Sequence, residues 1–186
     1  MFGSSAKSCR VVGIDPGLTR CGFAVIDAQG STVQARSLGV FTTSPQTELP
    51  DRLAALQRDI RELLDEFAPH AVAVEKVFFQ VNVRTAMSVG QASGIALAEA
   101  ARSGCTVAQY SPNEVKMSIA GFGGADKQQV QRMVQQRLGL SSPPRPADAA
   151  DAAALALCYL ASSPLTAAVQ ARLEVEHDCL AAWSTT

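Results

Sequence analysis

Apolar and polar positions alternate in short runs over the first quarter of the chain, which is the spacing typical of β-strands. Three such runs, at 10–14, 22–27 and 32–43, are separated by Asp15-Pro16-Gly17 and by Ala28-Gln29-Gly30. Proline, glycine and aspartate favour tight turns. The pattern therefore predicts an antiparallel meander of three strands.

The period of the apolar positions changes after residue 48. Large apolar residues recur every three or four positions from Leu49 to Phe67, which predicts an amphipathic helix that ends before Pro69. The run 71–74 is short and wholly apolar, so we predict a buried strand of the kind found in parallel sheets. A further strand is predicted at 106–110, and helices are predicted at 82–102, 112–119, 127–138 and 148–161. Strands that alternate with helices in this order indicate an α/β domain.

Length and composition favour one folded domain, because 186 residues that are 47% hydrophobic suffice for a single core. We assign it to residues 10–161, with 1–9 as a flexible N-terminal leader and 162–186 as a C-terminal extension with helical spacing. The longest apolar stretch, 149–161, is too short to cross a bilayer, so we expect a cytoplasmic protein. The five cysteines are widely spaced and indicate neither a disulfide framework nor a zinc site.

Carboxylates lie inside or beside apolar runs in three distant segments. Asp15 follows the first strand, Glu75 closes the buried strand, and Asp148 and Asp151 share one face of a helix start. Carboxylates rarely lie beside a core without a compensating cation, and magnesium prefers oxygen ligands. If the first and fourth strands are neighbours, the pattern predicts a magnesium site. Each acid also has a plainer explanation, as a turn residue, a strand end that reaches solvent, or an acid at a helix N-terminus.

Charge adds little to this picture. The chain has 16 basic and 17 acidic residues, a net charge of −1, which is not typical of a general nucleic-acid coat. Basic residues exceed acidic ones between positions 84 and 145, which permits a basic face. On composition alone, Lys116 and Lys127 are surface lysines and Phe78 is a core aromatic residue.

The ordered motifs resemble the RuvC family of bacterial Holliday junction resolvases over about residues 10–161. The motifs that carry this resemblance are Gly13-Ile14-Asp15-Pro16-Gly17, Val74-Glu75-Lys76-Val77-Phe78, Gly90-Gln91-Ala92, Asn113-Glu114-Val115-Lys116, Ala125-Asp126-Lys127-Gln128-Gln129-Val130-Gln131 and Ala147-Asp148-Ala149-Ala150-Asp151-Ala152. The resemblance implies an RNase H-like fold, in which three antiparallel strands and then parallel strands form a mixed five-stranded sheet flanked by helices. It also implies a Mg²⁺-dependent endonuclease of recombination and repair, which resolves four-way DNA junctions by paired symmetric nicks.

The resemblance assigns roles to particular residues. It makes Asp15, Glu75, Asp148 and Asp151 the catalytic and metal-binding acids, with two Mg²⁺ ions per site and Mn²⁺ as a substitute. It makes Phe78, with Phe79 beside it, the candidate for stacking on a DNA base, and Lys116 and Lys127 the DNA contacts near the cut. It implies a homodimer, for which the helix at 82–102 is our candidate interface, and partnership with the RuvA and RuvB branch-migration proteins. No membrane partner is expected.

Two other classes of function compete with this hypothesis. The segment Asp15-Pro16-Gly17-Leu18-Thr19 is similar to the phosphate loop of actin-like and sugar-kinase nucleotide-binding domains, although a complete kinase of that class needs a second domain. A resolvase-like RNA nuclease or a non-catalytic junction-binding module is the other alternative. The intact acids disfavour the non-catalytic module.

Overall fold

A mixed five-stranded sheet forms the centre of the computed structural model, which describes residues 8–77 and 83–162. The strands are β1 (Ser8–Asp15), β2 (Arg20–Gln29), β3 (Thr32–Thr42), β4 (Ala71–Glu75) and β5 (Thr106–Tyr110). Their spatial order is β3-β2-β1-β4-β5. The first three are antiparallel neighbours, whereas β4 runs parallel to β1 and β5 parallel to β4. The predicted meander is confirmed, and the condition on which the predicted metal site depended, that the first and fourth strands are neighbours, is met.

Helices cover both faces of this sheet. They are α1 (Leu49–Phe67), α2 (Val83–Arg102), α3 (Pro112–Ala120), α4 (Lys127–Arg137) and α5 (147–162). Side chains alternate between the two faces along β1, so Val12 packs in one core with residues of α1 and α2. Val11 packs in the other core with residues of α3, α4 and α5. Both valines are fully buried, which explains the unbroken apolar run of this central strand.

The register between β1 and β4 places two carboxylates side by side. Ile14 is opposite Val74 in the parallel ladder, so the next residues, Asp15 and Glu75, emerge together at the carboxyl ends of the two strands. This edge is where parallel α/β sheets commonly bind their ligands.

Two glycines allow α5 to lie directly against the sheet. A Cβ atom on Gly13 would overlap the carbonyl oxygen of Ala152, and one on Gly22 would overlap the carbonyl oxygen of Asp148. Ala152 itself is fully buried, so α5 also presents small side chains to the core. Because Gly22 pairs with Asp15 in the antiparallel ladder, the first turn of α5 lies beside the end of β1.

Boundaries differ from the predicted ones by a few residues. β1 begins at Ser8 and so includes two residues that the pattern assigned to the leader. Ser8 pairs with Gln29 in the β1–β2 ladder. Backbone hydrogen bonds extend a strand whatever its side chains are, so the apolar pattern does not show where this strand begins. Residues 1–7 and 163–186, and with them most of the predicted leader and extension, lie outside the described residues. None of the helices in the described part is long and apolar enough to span a membrane.

Candidate active site

Asp15 and Glu75 form a carboxyl pair at the end of the parallel strands. Their carboxyl groups are close enough to interact, and a hydrogen bond between them requires that one of the two holds a proton. Burial, reinforced by the bond to Glu75 and by the charges of Glu75, Asp151 and Asp148, raises the pKa of Asp15 to about 8. Burial also raises the pKa of Glu75. Among the described residues, no nearby side chain fully compensates the negative charge of this pair.

Asp148 and Asp151, on the first turn of α5, each have a basic partner. Arg20 donates from Nε at 3.1 Å and from Nη2 at 2.8 Å, and both bonds go to Asp148 Oδ2. Lys127 Nζ lies 2.6 Å from Asp151 Oδ2. The Arg20 guanidinium lowers the pKa of Asp148, and the bond to Asp151 raises the pKa of Lys127. Asp148 is thus ionised near neutral pH, and each of the two aspartates is paired with a cation.

A cleft of about 440 Å³ opens beside the carboxyl pair. Its charged lining consists of Asp15, Glu75, Lys116, Lys127 and Asp151, and its apolar wall consists of Pro112, Val115, Val130, Ala154 and Leu155. The cleft therefore combines acids and lysines with an apolar wall, and Lys127 lies directly against one of the acids, Asp151. This distribution suits an anionic ligand that also has apolar surface.

Helix capping fixes the two lysines on their elements. Ser111 caps α3 through a reciprocal pair of hydrogen bonds with Glu114, and Lys116 follows in the first turns of that helix. Asp126 caps α4 in the same way with Gln129, which makes Lys127 the first residue of α4. Both lysines are therefore placed by local sequence signals that start their helices beside the acids.

The donor set fits a hard divalent cation. The four carboxylates offer only oxygen ligands, and the pKa of Asp15 is raised largely because burial leaves its charge uncompensated. Within residues 8–77 and 83–162, no three acidic, histidine or cysteine side chains already have the close arrangement of a metal centre. Arg20 and Lys127 each take up one carboxylate oxygen, of Asp148 and of Asp151 respectively.

The structure brings together most of the residues that the sequence singled out. Asp15, Glu75, Asp151, Lys116 and Lys127 all line one cleft. Asp148 is not part of that lining and lies at its margin, although its charge still acts on Asp15. The predicted stacking residues, Phe78 and Phe79, lie outside the described residues.

Arg20 is a site residue that sequence reasoning missed. It begins β2 two positions before Gly22, so both residues belong to the same face of the strand. That face is the one against which Asp148 packs, as the close approach at Gly22 shows. The sequence does place a basic residue two positions before a glycine in this strand. That spacing predicts a contact with Asp148 only once α5 is known to cover this face of the strand.

Comparison with known proteins identifies the family to which the sequence is similar. The model of the family described as "Crossover junction endodeoxyribonuclease RuvC" matches residues 11–159. The RuvC protein of Thermobifida fusca is 55% identical over 81% of this chain and 84% of its own length. The RuvC protein of Streptomyces griseus is 52% identical over 83% of this chain and 76% of its own length.

Solved structures agree with this match. The structure of Thermus thermophilus RuvC has a TM-score of 0.78 at 38% identity, and covers 84% of this chain and 96% of its own. The complex of T. thermophilus RuvC with a Holliday junction substrate has a TM-score of 0.81 at 37% identity, and covers 85% and 96%. The yeast mitochondrial resolvase Ydc2, at 15% identity and a TM-score of 0.60, shares the fold. These matches confirm the RNase H-like fold and do not favour the nucleotide-binding or RNA-nuclease alternatives.

Proposed function

The chain belongs to the RuvC family of crossover junction endodeoxyribonucleases, and we propose that it cuts four-way DNA junctions at the cleft beside Asp15. The observation that carries this proposal is the carboxyl pair of Asp15 and Glu75 at the carboxyl edge of the sheet, next to two lysines. The acids suit a divalent cation and the lysines suit a phosphodiester, so one cleft has the chemistry for both.

We assign the role of metal ligands to Asp15, Glu75, Asp148 and Asp151. Asp15 interacts electrostatically with the other three acids, which supports the proposal that the four would hold Mg²⁺ together, two ions per site, with Mn²⁺ as a substitute. When bound, such ions activate a water molecule and neutralise charge on the phosphoryl oxygens during phosphodiester hydrolysis. The chain's own contribution is to hold these carboxylates on two strand ends and one helix start, which leaves little freedom to reorganise.

The DNA contacts that we propose are Lys116, Lys127 and Phe78. The two lysines line the same cleft as the carboxyl pair, where their charge attracts the phosphates of the cleaved strand. Phe78 follows Glu75 by three residues in the sequence, and we assign to it stacking on a base exposed at the junction centre. Replacement of Phe78 and, separately, of Phe79 by alanine decides which of the two stacks.

Two equal cuts require two equal sites, so we propose a homodimer. A two-fold symmetric enzyme places one cleft at each of two strands of like polarity, which gives ligatable products. The helix α2 remains our candidate for the interface. Cooperation with RuvA and RuvB, and a cytoplasmic location where chromosomal DNA is accessible, are proposed from family membership alone.

The test is incubation of the protein with a synthetic mobile four-way junction, with Mg²⁺ and with EDTA, followed by mapping of the nicks and ligation of the products. We expect paired nicks at symmetric positions in Mg²⁺ only, and no cutting of linear duplex DNA or of an RNA junction. Asp15→Asn should abolish cutting and leave junction binding intact, whereas Asp59→Asn, on α1, should cut normally. Normal cutting by Asp15→Asn would remove the assignment of this cleft.

A further inference from the structure

Arg20 reaches Asp148 in an unusual way for an arginine and a carboxylate. Its Nε and Nη2 both bind the single oxygen Oδ2, at 3.1 and 2.8 Å, instead of one oxygen each. Arg20 makes no hydrogen bond to the other oxygen, Oδ1. Nη1 of Arg20 has no hydrogen-bond partner among the described residues, and 48% of the arginine side chain is exposed.

The backbone that carries Arg20 is held firmly while its side chain is open to solvent. Arg52 donates from Nη2 to the hydroxyl of Thr19 at 2.8 Å and from Nε to the hydroxyl of Thr43 at 2.9 Å. The backbone N–H of Thr43 also donates to the carbonyl of Thr19 at 3.1 Å. The residue before Arg20 is therefore fixed, and only the arginine side chain is free to change partner.

A charge count shows why such a change of partner is favourable. When ionised, the four acids carry four negative charges, and their two basic partners, Arg20 and Lys127, leave the metal-free site negative. Two divalent ions would reverse that sign and repel both cations. A DNA backbone phosphate then becomes the better partner for a guanidinium, since the ions would compensate the carboxylate charge whereas the phosphate keeps a negative charge on two non-bridging oxygens.

We propose that Arg20 is a substrate-contact residue, which rests on Asp148 in the free protein and moves to a DNA backbone phosphate beside the cut once divalent ions occupy the acids. This inference rests on the proposed function of the same cleft. The inference assigns two roles to Arg20. Arg20 lowers the affinity for divalent ions, because it competes with them for Asp148, and it raises the affinity for the junction.

The test measures both roles in Arg20→Gln without any cleavage. Mn²⁺ affinity of the DNA-free protein, measured by isothermal titration with MnCl₂, should rise by about two- to fivefold, because a half-exposed competing ion pair has been removed. Affinity for a labelled junction, measured by anisotropy with Ca²⁺ in place of Mg²⁺ and a gel check that no strand is nicked, should fall. The slope of log affinity against log salt should decrease by about 0.9, the value for one lost phosphate contact.

Opposite signs in one variant exclude a folding defect, because a disordered Asp148 would weaken both affinities. Arg20→Lys keeps the charge and should retain more junction affinity than Arg20→Gln. The matched control is Arg36→Gln, since Arg36 is 53% exposed and binds Asp27 through Nε at 2.7 Å. Asp27 lies opposite Arg10 in the ladder, five residues along β1 from Asp15, or about 17 Å away. Neither affinity should change in this control.

Weaker Mn²⁺ binding, unchanged Mn²⁺ binding or unchanged junction binding in Arg20→Gln would overturn the proposal. The proposed function is tested separately, and it is wrong if the wild-type protein shows no metal-dependent cutting. If the wild type cuts and Arg20→Gln still shows one of these results, only the role of Arg20 is wrong.

Discussion

Replacement of Asp15 by asparagine should stabilise the metal-free protein while it abolishes cutting. The carboxyl pair is unfavourable when ionised, because Asp15 is partly buried beside Glu75 and near two further acids. Asparagine has a similar shape, carries no charge and can donate a hydrogen bond to the Glu75 carboxylate through Nδ2. The substitution therefore removes repulsion without opening a cavity.

The size of the effect follows from the pKa of Asp15, which the fold raises from 3.8 to about 8. Each pKa unit corresponds to about 1.4 kcal/mol, so full ionisation of Asp15 costs the folded state at most about 6 kcal/mol. Sharing of the proton with Glu75 and access of water reduce this cost, and we expect a gain of about 1–3 kcal/mol at pH 8 in Asp15→Asn. For a chain of 186 residues this gain corresponds to a rise in Tm of about 3–10 °C.

The sign of the pH dependence is fixed by the direction of that shift. Below about pH 4 both the folded and the unfolded chain hold the proton of Asp15, so the residue does not lower stability. Between about pH 4 and pH 8 the unfolded chain has released the proton and the folded chain still binds it, so stability falls as pH rises. The advantage of Asp15→Asn should therefore grow from pH 5 to pH 8.

Thermal unfolding in EDTA and in MgCl₂, at pH 5 and pH 8, measures this prediction. Mg²⁺ should raise the Tm of the wild type at pH 8 and should have little effect on Asp15→Asn, because the central ligand is lost. Asp59→Asn serves as the control for loss of one carboxylate outside the cleft. A variant at Asp15 that is no more stable than the wild type in EDTA at pH 8 would refute the reasoning.

Three other predictions test the placement of the site. Lys127→Glu should weaken junction binding in an anisotropy assay, and unchanged affinity would remove Lys127 from the DNA contacts. Gly22→Ala should reduce both cutting and urea stability, the latter by about 1–3 kcal/mol, since its Cβ would displace α5; a fully active variant would contradict this packing. Glu99→Gln should lower urea stability by about 1–2 kcal/mol at pH 7, because Arg61 and Arg102 hold the pKa of this buried carboxylate at about 2. That difference should shrink as pH falls from about 4.5 towards 2, where Glu99 is protonated, and a constant difference would show that the charge is irrelevant.

The sheet was predictable because its local signals agree. Turn residues separate the alternating runs of β1, β2 and β3, and the short apolar run 71–74 has no polar position for a solvent-facing side. The apolar positions of α1, which run from Leu49 to Phe67, likewise match the observed helix. The pairing of β1 with β4 could not be predicted in the same way, because it depends on how whole elements pack and not on any local pattern.

The sequence also indicated which acids could lie together, but it did not indicate which basic residues pair with them. Asp15 and Glu75 could be placed together once two strands were taken to be parallel neighbours. The contact of Arg20 with Asp148 joins residues 128 positions apart, and depends on the close approach of α5 at Gly22. No spacing in the sequence encodes that approach. The same dependence explains why Asp148 lies at the margin of the cleft while Asp151 lines it.

The most direct test of the central claim is anomalous diffraction from crystals soaked in Mn²⁺ under conditions that support cutting. We expect Mn²⁺ peaks bound to carboxylate oxygens of Asp15, with Glu75, Asp148 and Asp151 completing the ligands. Crystals of Asp15→Asn should lose at least one peak. Manganese bound elsewhere, with no peak at Asp15 in an active protein, would contradict the account.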